Sequence, residues 1–313
     1  MAFTQTSSVS SDTGAFEQLA YFALRSQPLF EMVADVKTTN QSHPGSSVQF
    51  NIYNDLAQAT AALTETSDVT AVALSDSTVT VTLAEYGNAV ITTAKLRGTS
   101  FLNVDADAAN IIGYNMANSV DNIVHDVLIG GTNVAYGGDA TSTVTIDAAD
   151  NLDAADVREA VAKMRSASAM PMMGNVYVGF IHPDVSFDLR GDTAVTDIIQ
   201  FQIRQDGGAV RAGSIGTFGG VDFIETPRLE IQADAGATTT DVYNTVICGK
   251  QALAKAHSRA AGFGENPAVV FGPVTDTLRR FQPVGWYHLV GYNRFREASL
   301  QRIEASSSIG ANA

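Results

Sequence analysis

The sequence predicts an α+β chain, with helices and strands mixed and no regular strand–helix alternation. Three observations carry this. Val48, Phe50 and Ile52 alternate with polar neighbours, and Val79-Thr80-Val81-Thr82-Leu83 repeats the pattern, so two strands with one apolar face are expected. Ile112, Met116, Val120, Ile123 and Val127 form one stripe, which predicts a single long helix over Val104–Ile129. Short apolar runs at Val221–Glu225 and Val242–Cys248 then read as strands after a helix ending near Ala167.

In chain order, residues 1–14 are rich in Ser and Thr and need a partner to hold them. Phe16 to Val36 reads as a short helical segment interrupted by Pro28, and His43-Pro44-Gly45 as a turn. Between the two alternating strands lies a polar, Ala/Thr-rich stretch, Leu56 to Ser77. From Thr38 to Ala94 there is no Lys or Arg. The two strands make a protruding hairpin, which is marginal in water by itself. Each face offers too little apolar surface to bury against its own domain, so the hairpin is expected to lie on a neighbouring subunit.

The helix over Val104–Ile129 starts with Asp105 and Asp107, where the dipole favours negative charge, and stops at Gly130-Gly131. At 1.5 Å per residue it would run roughly 39 Å. His125 is expected on its surface or half-buried. Thr143 to Ile146 reads as a short strand. Asn151 or Asp153 caps a second helix with Val157, Val161 and Met164 on one face. Asn175 to Ile181 reads as a strand, Ala194 to Gln202 and Lys250 to Ala261 as helices, and Val269–Phe271, Trp286–Val290 and Phe295–Ile303 as closing strands.

Composition narrows the function classes. The 313 residues suggest about two domains, and 45% apolar with 17% charged residues is ordinary for a globular chain. No apolar run is long enough to span a bilayer, and Met1 to Thr6 lacks the pattern of a secretory signal. The lone Cys248 reads as a buried small hydrophobe. The net charge of −14 argues against general nucleic-acid binding. It is uneven: residues 1–150 hold 4 basic and 16 acidic side chains, whereas residues 244–313 hold 8 basic and 4 acidic. An acidic N-terminal region could therefore meet a basic C-terminal one on another copy, which would fix register more than affinity.

No catalytic, cofactor-binding or metal site is predicted. His43, His125, His182, His257 and His288 are scattered, none at ligand spacing from another His, Cys or Glu. Cys248-Gly249-Lys250-Gln251 lacks the upstream Gly and following Ser/Thr of a phosphate loop. The glycines from Gly213 to Gly220 precede a strand, the reverse of a dinucleotide site. The most site-like cluster is Ile181-His182-Pro183-Asp184 with Asp188, Arg190 and Asp192. It reads better as a strand end, a Pro-directed turn and a helix cap than as acid–base machinery.

Several segments in order carry a resemblance: Leu24 to Phe30, Leu63-Thr64-Glu65, Glu85-Tyr86-Gly87-Asn88-Ala89-Val90, Ser119-Val120-Asp121, Ile181 to Asp184, Gly219 to Pro227, and Gly285-Trp286-Tyr287. Over about residues 16 to 305 the chain resembles tailed-bacteriophage major capsid proteins of the Hong Kong ninety-seven-type fold, most of all the phage N-four-type subfamily. The resemblance implies an N-terminal arm (1–45) and an extended β-hairpin loop (46–96) overlapping the adjacent subunit. It also implies a peripheral domain (97–149 and 263–313) with the spine helix 104–129, and an axial domain (150–262). It implies a homo-oligomer of pentameric and hexameric capsomers in the virion capsid, assembled in the host bacterial cytoplasm around double-stranded DNA without sequence-specific binding. It implies no enzymatic activity, no cofactor and no membrane.

Two departures qualify it. No Lys lies between Lys37 and Lys95 to make the isopeptide cross-link some relatives form from this loop. The chain keeps Met1 and has a short arm, which implies a separate scaffolding protein; a portal protein is implied as well. Without cross-links, shell strength is expected from overlapping arms or a decoration protein. The Gly130-Gly131, Gly137-Gly138 and Gly207-Gly208 pairs are expected as flexible joints. The acidic charge suits an inner wall that lets packaged DNA move. The alternatives are an encapsulin-like compartment shell, or a soluble enzyme using the His182–Asp192 cluster.

Overall fold

A computed structural model describes residues 29–36, 46–60, 62–63, 65–66, 68–100, 104–191, 214–257, 267–273 and 276–309. The readings for residues 1–28, the His43 turn, the 194–202 helix and the Gly207-Gly208 joint lie outside these. The chain forms two compact units. Of the described residues, the smaller takes those within Gly87–Met116 and Pro267–Tyr287, and the larger those within Ser26–Tyr86, Ala117–Asn266 and His288–Ala313.

The larger unit is built on one seven-stranded sheet. Its strands are β5 (Val134–Tyr136), β6 (Tyr177–Ile181), β7 (Ser214–Phe218), β8 (Val221–Glu225), β9 (Ile231–Gln232), β10 (Val242–Cys248) and β14 (Leu300–Ala305). The order is β5-β14-β10-β6-β8-β7, with β9 also beside β10. Period-two alternation sends side chains to two cores. On one face Tyr177, Ile181, Tyr243 and Ile247 pack with Val157, Val161 and Met164 of α3 (Ala154–Ser166) and with Val185 and Leu189 of α4 (Pro183–Gly191). On the other, Val178, Phe180, Val246 and Cys248 pack with Val120, Val124 and Leu128 from α2 (Val104–Ile129). The sheet is thus the middle of three layers. Gly179 is required where it stands, because a Cβ there would meet Phe223 Cδ1 at 2.7 Å.

Helix α3 begins as expected: Asp153 accepts from Asp156 N–H at 2.8 Å, and Asp156 accepts from Asp153 N–H at 3.2 Å. The remaining pieces of the larger unit are a 3₁₀ turn (Phe30–Val33), β1 (Ala34–Val36), the hairpin β2 (Ser47–Tyr53) and β3 (Asp76–Thr82), and β11 (Leu253–His257). Strand β1 runs parallel to β11, and β11 pairs with Val290–Arg294 of β13 (Phe281–Arg294).

The smaller unit holds most of β4 (Ala84–Thr93), α1 (Ala94–Thr99), the first half of α2, β12 (Ala268–Phe271) and the first half of β13. Thr92 Oγ1 donates to Asp105 at 3.0 Å, and Trp286 Nε1 donates to Asn115 Oδ1 at 3.0 Å. Strand β4 approaches β13 so closely that a Cβ on Gly87 would lie 2.7 Å from Trp286 O.

The structure corrects four expectations. The segment expected as helix to Val36 is, from Phe30, a 3₁₀ turn and then a strand. Lys250 to Ala261 contains β11 instead of a helix, because pairing on both edges overrides Ala and Lys propensity. Thr143 to Thr145 is a 3₁₀ turn instead of a strand; Thr145 Oγ1 accepts from Ser142 N–H at 3.1 Å and curls the segment on itself. The hairpin is not without support from its own domain, since Val48, Val81 and Leu83 pack on Ala254 and Ala256.

Candidate assembly surface

The hairpin splits into a supported base and an unsupported tip. At the base, β2 and β3 are antiparallel from Ser47↔Thr82 to Tyr53↔Asp76. Asn293 Nδ2 donates to Thr80 O at 2.8 Å, and Phe50 meets the Phe295 ring edge-on at 6.2 Å. Beyond Tyr53 the support ends. The described residues between Asn54 and Ser75 form no strand or helix, and all are exposed. Tyr53, Leu56, Leu63, Val69, Val72 and Leu74 are between 52% and 76% exposed. Asp55, Glu65 and Asp68 are the charged residues of this stretch, all acidic. Exposed apolar side chains gathered along an acidic stretch mark an interaction surface.

A second feature is the anchor of the N-terminal segment on the larger unit. Asp121 Oδ1 accepts from Phe30 N–H at 2.7 Å and from Leu29 N–H at 2.9 Å. Its other oxygen lies 2.9 Å from Arg228 Nε, close enough for an ion pair though poorly angled for a hydrogen bond. Arg228 also reaches Asn118 and Asn122 on the same helix. Burial raises the Asp121 pKa, and the two N–H donors and Arg228 pull it back down. The Phe30 ring meets Phe180 edge-on, with centroids 5.1 Å apart. Glu31 bonds Lys255 Nζ at 2.5 Å and Tyr292 Oη at 2.9 Å.

Of the histidines read as scattered, the structure brings His257 and His288 onto the face that Glu31 reaches, and both are buried. No sequence spacing could show this, since the two come together through β11–β13 register. No group of three or more His, Cys, Asp or Glu fit to hold a metal occurs among the described residues. His125, expected at or near the surface, is buried; its Nε2 accepts from Glu230 N–H at 3.1 Å and its ring leans on Phe30.

The described side chains of the His182 cluster are engaged with neighbouring backbone and side chains. His182 Nδ1 accepts from Asp184 N–H at 3.3 Å, and burial lowers its pKa, so the ring is neutral. Asp184 accepts from Tyr243 Oη at 3.1 Å. Arg190 pairs with Glu225, while Asp188 holds Ser307 and Ser308 near the C-terminus. Asp192 lies outside the described residues. Gly219 and Gly220, with φ of +59° and +91°, form the two-residue turn between β7 and β8. Cys248 is fully buried, and burial pushes its thiol up to about 12.

Two of the expected glycine joints are tightly packed. A Cβ on Gly131 would lie 2.8 Å from Leu300 Cδ2, and one on Gly137 would lie 2.7 Å from Asp150 O. These glycines permit close approach.

A family model described as phage capsid protein matches residues 5–308. The structure is similar to the capsid of Ralstonia phage GP4, at 16% identity and a TM-score of 0.76, covering 98% of each chain. It is similar to the capsid of cyanophage Pam1, at 15% identity and a TM-score of 0.74, covering 96% of this chain and 98% of that one. It also resembles the head structure of Helicobacter pylori bacteriophage KHP40, at 12% identity and a TM-score of 0.71, covering 98% of each chain. No curated protein matches at a significant level. With almost the whole length matched, the chain belongs to the phage capsid protein family.

Proposed function

We propose that this family member is the major capsid protein of a tailed phage, of the N-four-type subfamily. It builds pentamers and hexamers of an icosahedral head around double-stranded DNA. The observation that carries the reading is the hairpin tip, whose described side chains are all exposed and include the large apolar ones of Leu56, Leu63, Val69, Val72 and Leu74. A neighbouring copy is the natural cover, since each subunit of a closed shell offers the same surfaces. The proposed layout has an arm to residue 45, the overlapping loop over 46–96, a peripheral domain over 97–149 and 263–313, and an axial domain over 150–262. A phage-capsid family match favours a genome container over an enzyme-filled compartment.

The chain acts here as a structural protein and not as an enzyme. The His182 cluster supports this, because its side chains are engaged in holding a helix and the C-terminal segment. The proposed partners are a separate scaffolding protein, a portal protein and, for shell strength, a decoration protein, with assembly in the host bacterial cytoplasm. Sedimentation and electron microscopy of the purified protein test the reading. Closed shells, tubes or free capsomers are expected, alone or with the scaffolding protein. A monomer that never assembles under either condition would sink it.

A further inference from the structure

The sheet face under the N-terminal anchor carries more buried basic groups than carboxylates. Lys255 stands opposite Tyr292 and His257 opposite Val290, so period two puts Lys255, His257, His288 and Tyr292 on one face. Lys255, His257 and His288 are 3%, 2% and 1% exposed. Among the described residues the carboxylate that reaches this face is Glu31, through Lys255 Nζ at 2.5 Å and Tyr292 Oη at 2.9 Å. Asp121 and Tyr86 are the other titratable groups acting on Tyr292. With neutral histidines the described residues of this face set one cation, Lys255, against one anion, Glu31. The segment it retains is lightly tied, because β1 offers three residues of parallel pairing, Ala34–Val36 with Leu253–Lys255.

We infer that this face is an acid-operated latch. Protonation of His288 loads it with a cation that Glu31, already paired with Lys255, cannot balance, and Leu29–Val36 detach from β11 while the seven-stranded sheet stays folded. Burial, reinforced by the Lys255 charge, pushes His288 down to about 4, with Glu31 opposing and His257 adding to the fall. The folded state therefore resists the proton that the detached state accepts at the ordinary histidine value near 6.5.

Amide exchange on the full-length unassembled subunit between pH 7 and 4.5, read as protection factors, tests this. Protection of Met32–Val36 should fall about tenfold per pH unit as His288 is charged on opening, while β10 amides hold. H288Q should make this fall about tenfold per pH unit shallower. K255M, which removes the standing cation, should move release to lower pH. Equal loss at β1 and β10, or variants that both track the wild type, would overturn the latch. Because the readout is a free subunit, its failure leaves the capsid reading intact, and failure to assemble leaves the latch intact.

Discussion

Asp121 is the buried carboxylate that ties the N-terminal anchor to helix α2. It is 1% exposed, takes two backbone N–H groups of the anchor, and neutralises an Arg228 side chain that is 8% exposed. Removing one member of such a pair strands the other charge in the interior. Asp121→Ala should therefore cost about 3–5 kcal/mol, seen as a clear drop in melting temperature; a loss near zero would refute the buried-pair account. Asp156 points the other way. Burial raises its pKa from 3.8 to about 6, against the N–H groups of Asp153 and Gly138, with the Asp153 charge adding to the rise. Its ionised form is thus a burden above pH 6 that fades as pH falls toward 4. Asp156→Asn keeps the acceptor and sheds the charge, so thermal melts should show the variant more stable than wild type at pH 8 and level with it near pH 4. Equal stability at pH 8 would contradict this.

At the scale of elements, helix α2 matches the bounds its stripe predicts, yet its buried residues are shifted. Ile112 and Val120 are buried as expected, but Val124 and Leu128 go deepest while Ile123 and Val127 are half-buried. Both pairs satisfy the helical period, and the choice between them depends on what Phe30 and Phe180 occupy, which no local pattern shows. Leu128→Ala should cost about 2–5 kcal/mol and Ile123→Ala less; denaturant titration of both decides the face. The β2–β3 hairpin was readable because its apolar residues alternate. Strand β11 was not, since it is buried on both faces and Lys255 and His257 stand on one of them. The anchor cluster was unreadable for the same reason: its members, from Glu31 to Tyr292, meet only through strand register.

For the whole molecule, charge and exposure converge on one region. The acidic bias of the N-terminal half includes the hairpin tip, and so does the largest run of exposed apolar side chains. Shell formation should therefore depend on residues that the folding of a single subunit does not need. The direct measurement uses a variant in which Leu56 to Leu74 are replaced by an Asn-Gly turn joining β2 to β3. The account predicts an unchanged melting temperature, because the base keeps Val48, Val81 and Leu83 on Ala254 and Ala256. It also predicts no closed shells by electron microscopy under conditions where the wild type assembles. Normal shells from the shortened variant would contradict the assignment of the tip as the cover between subunits.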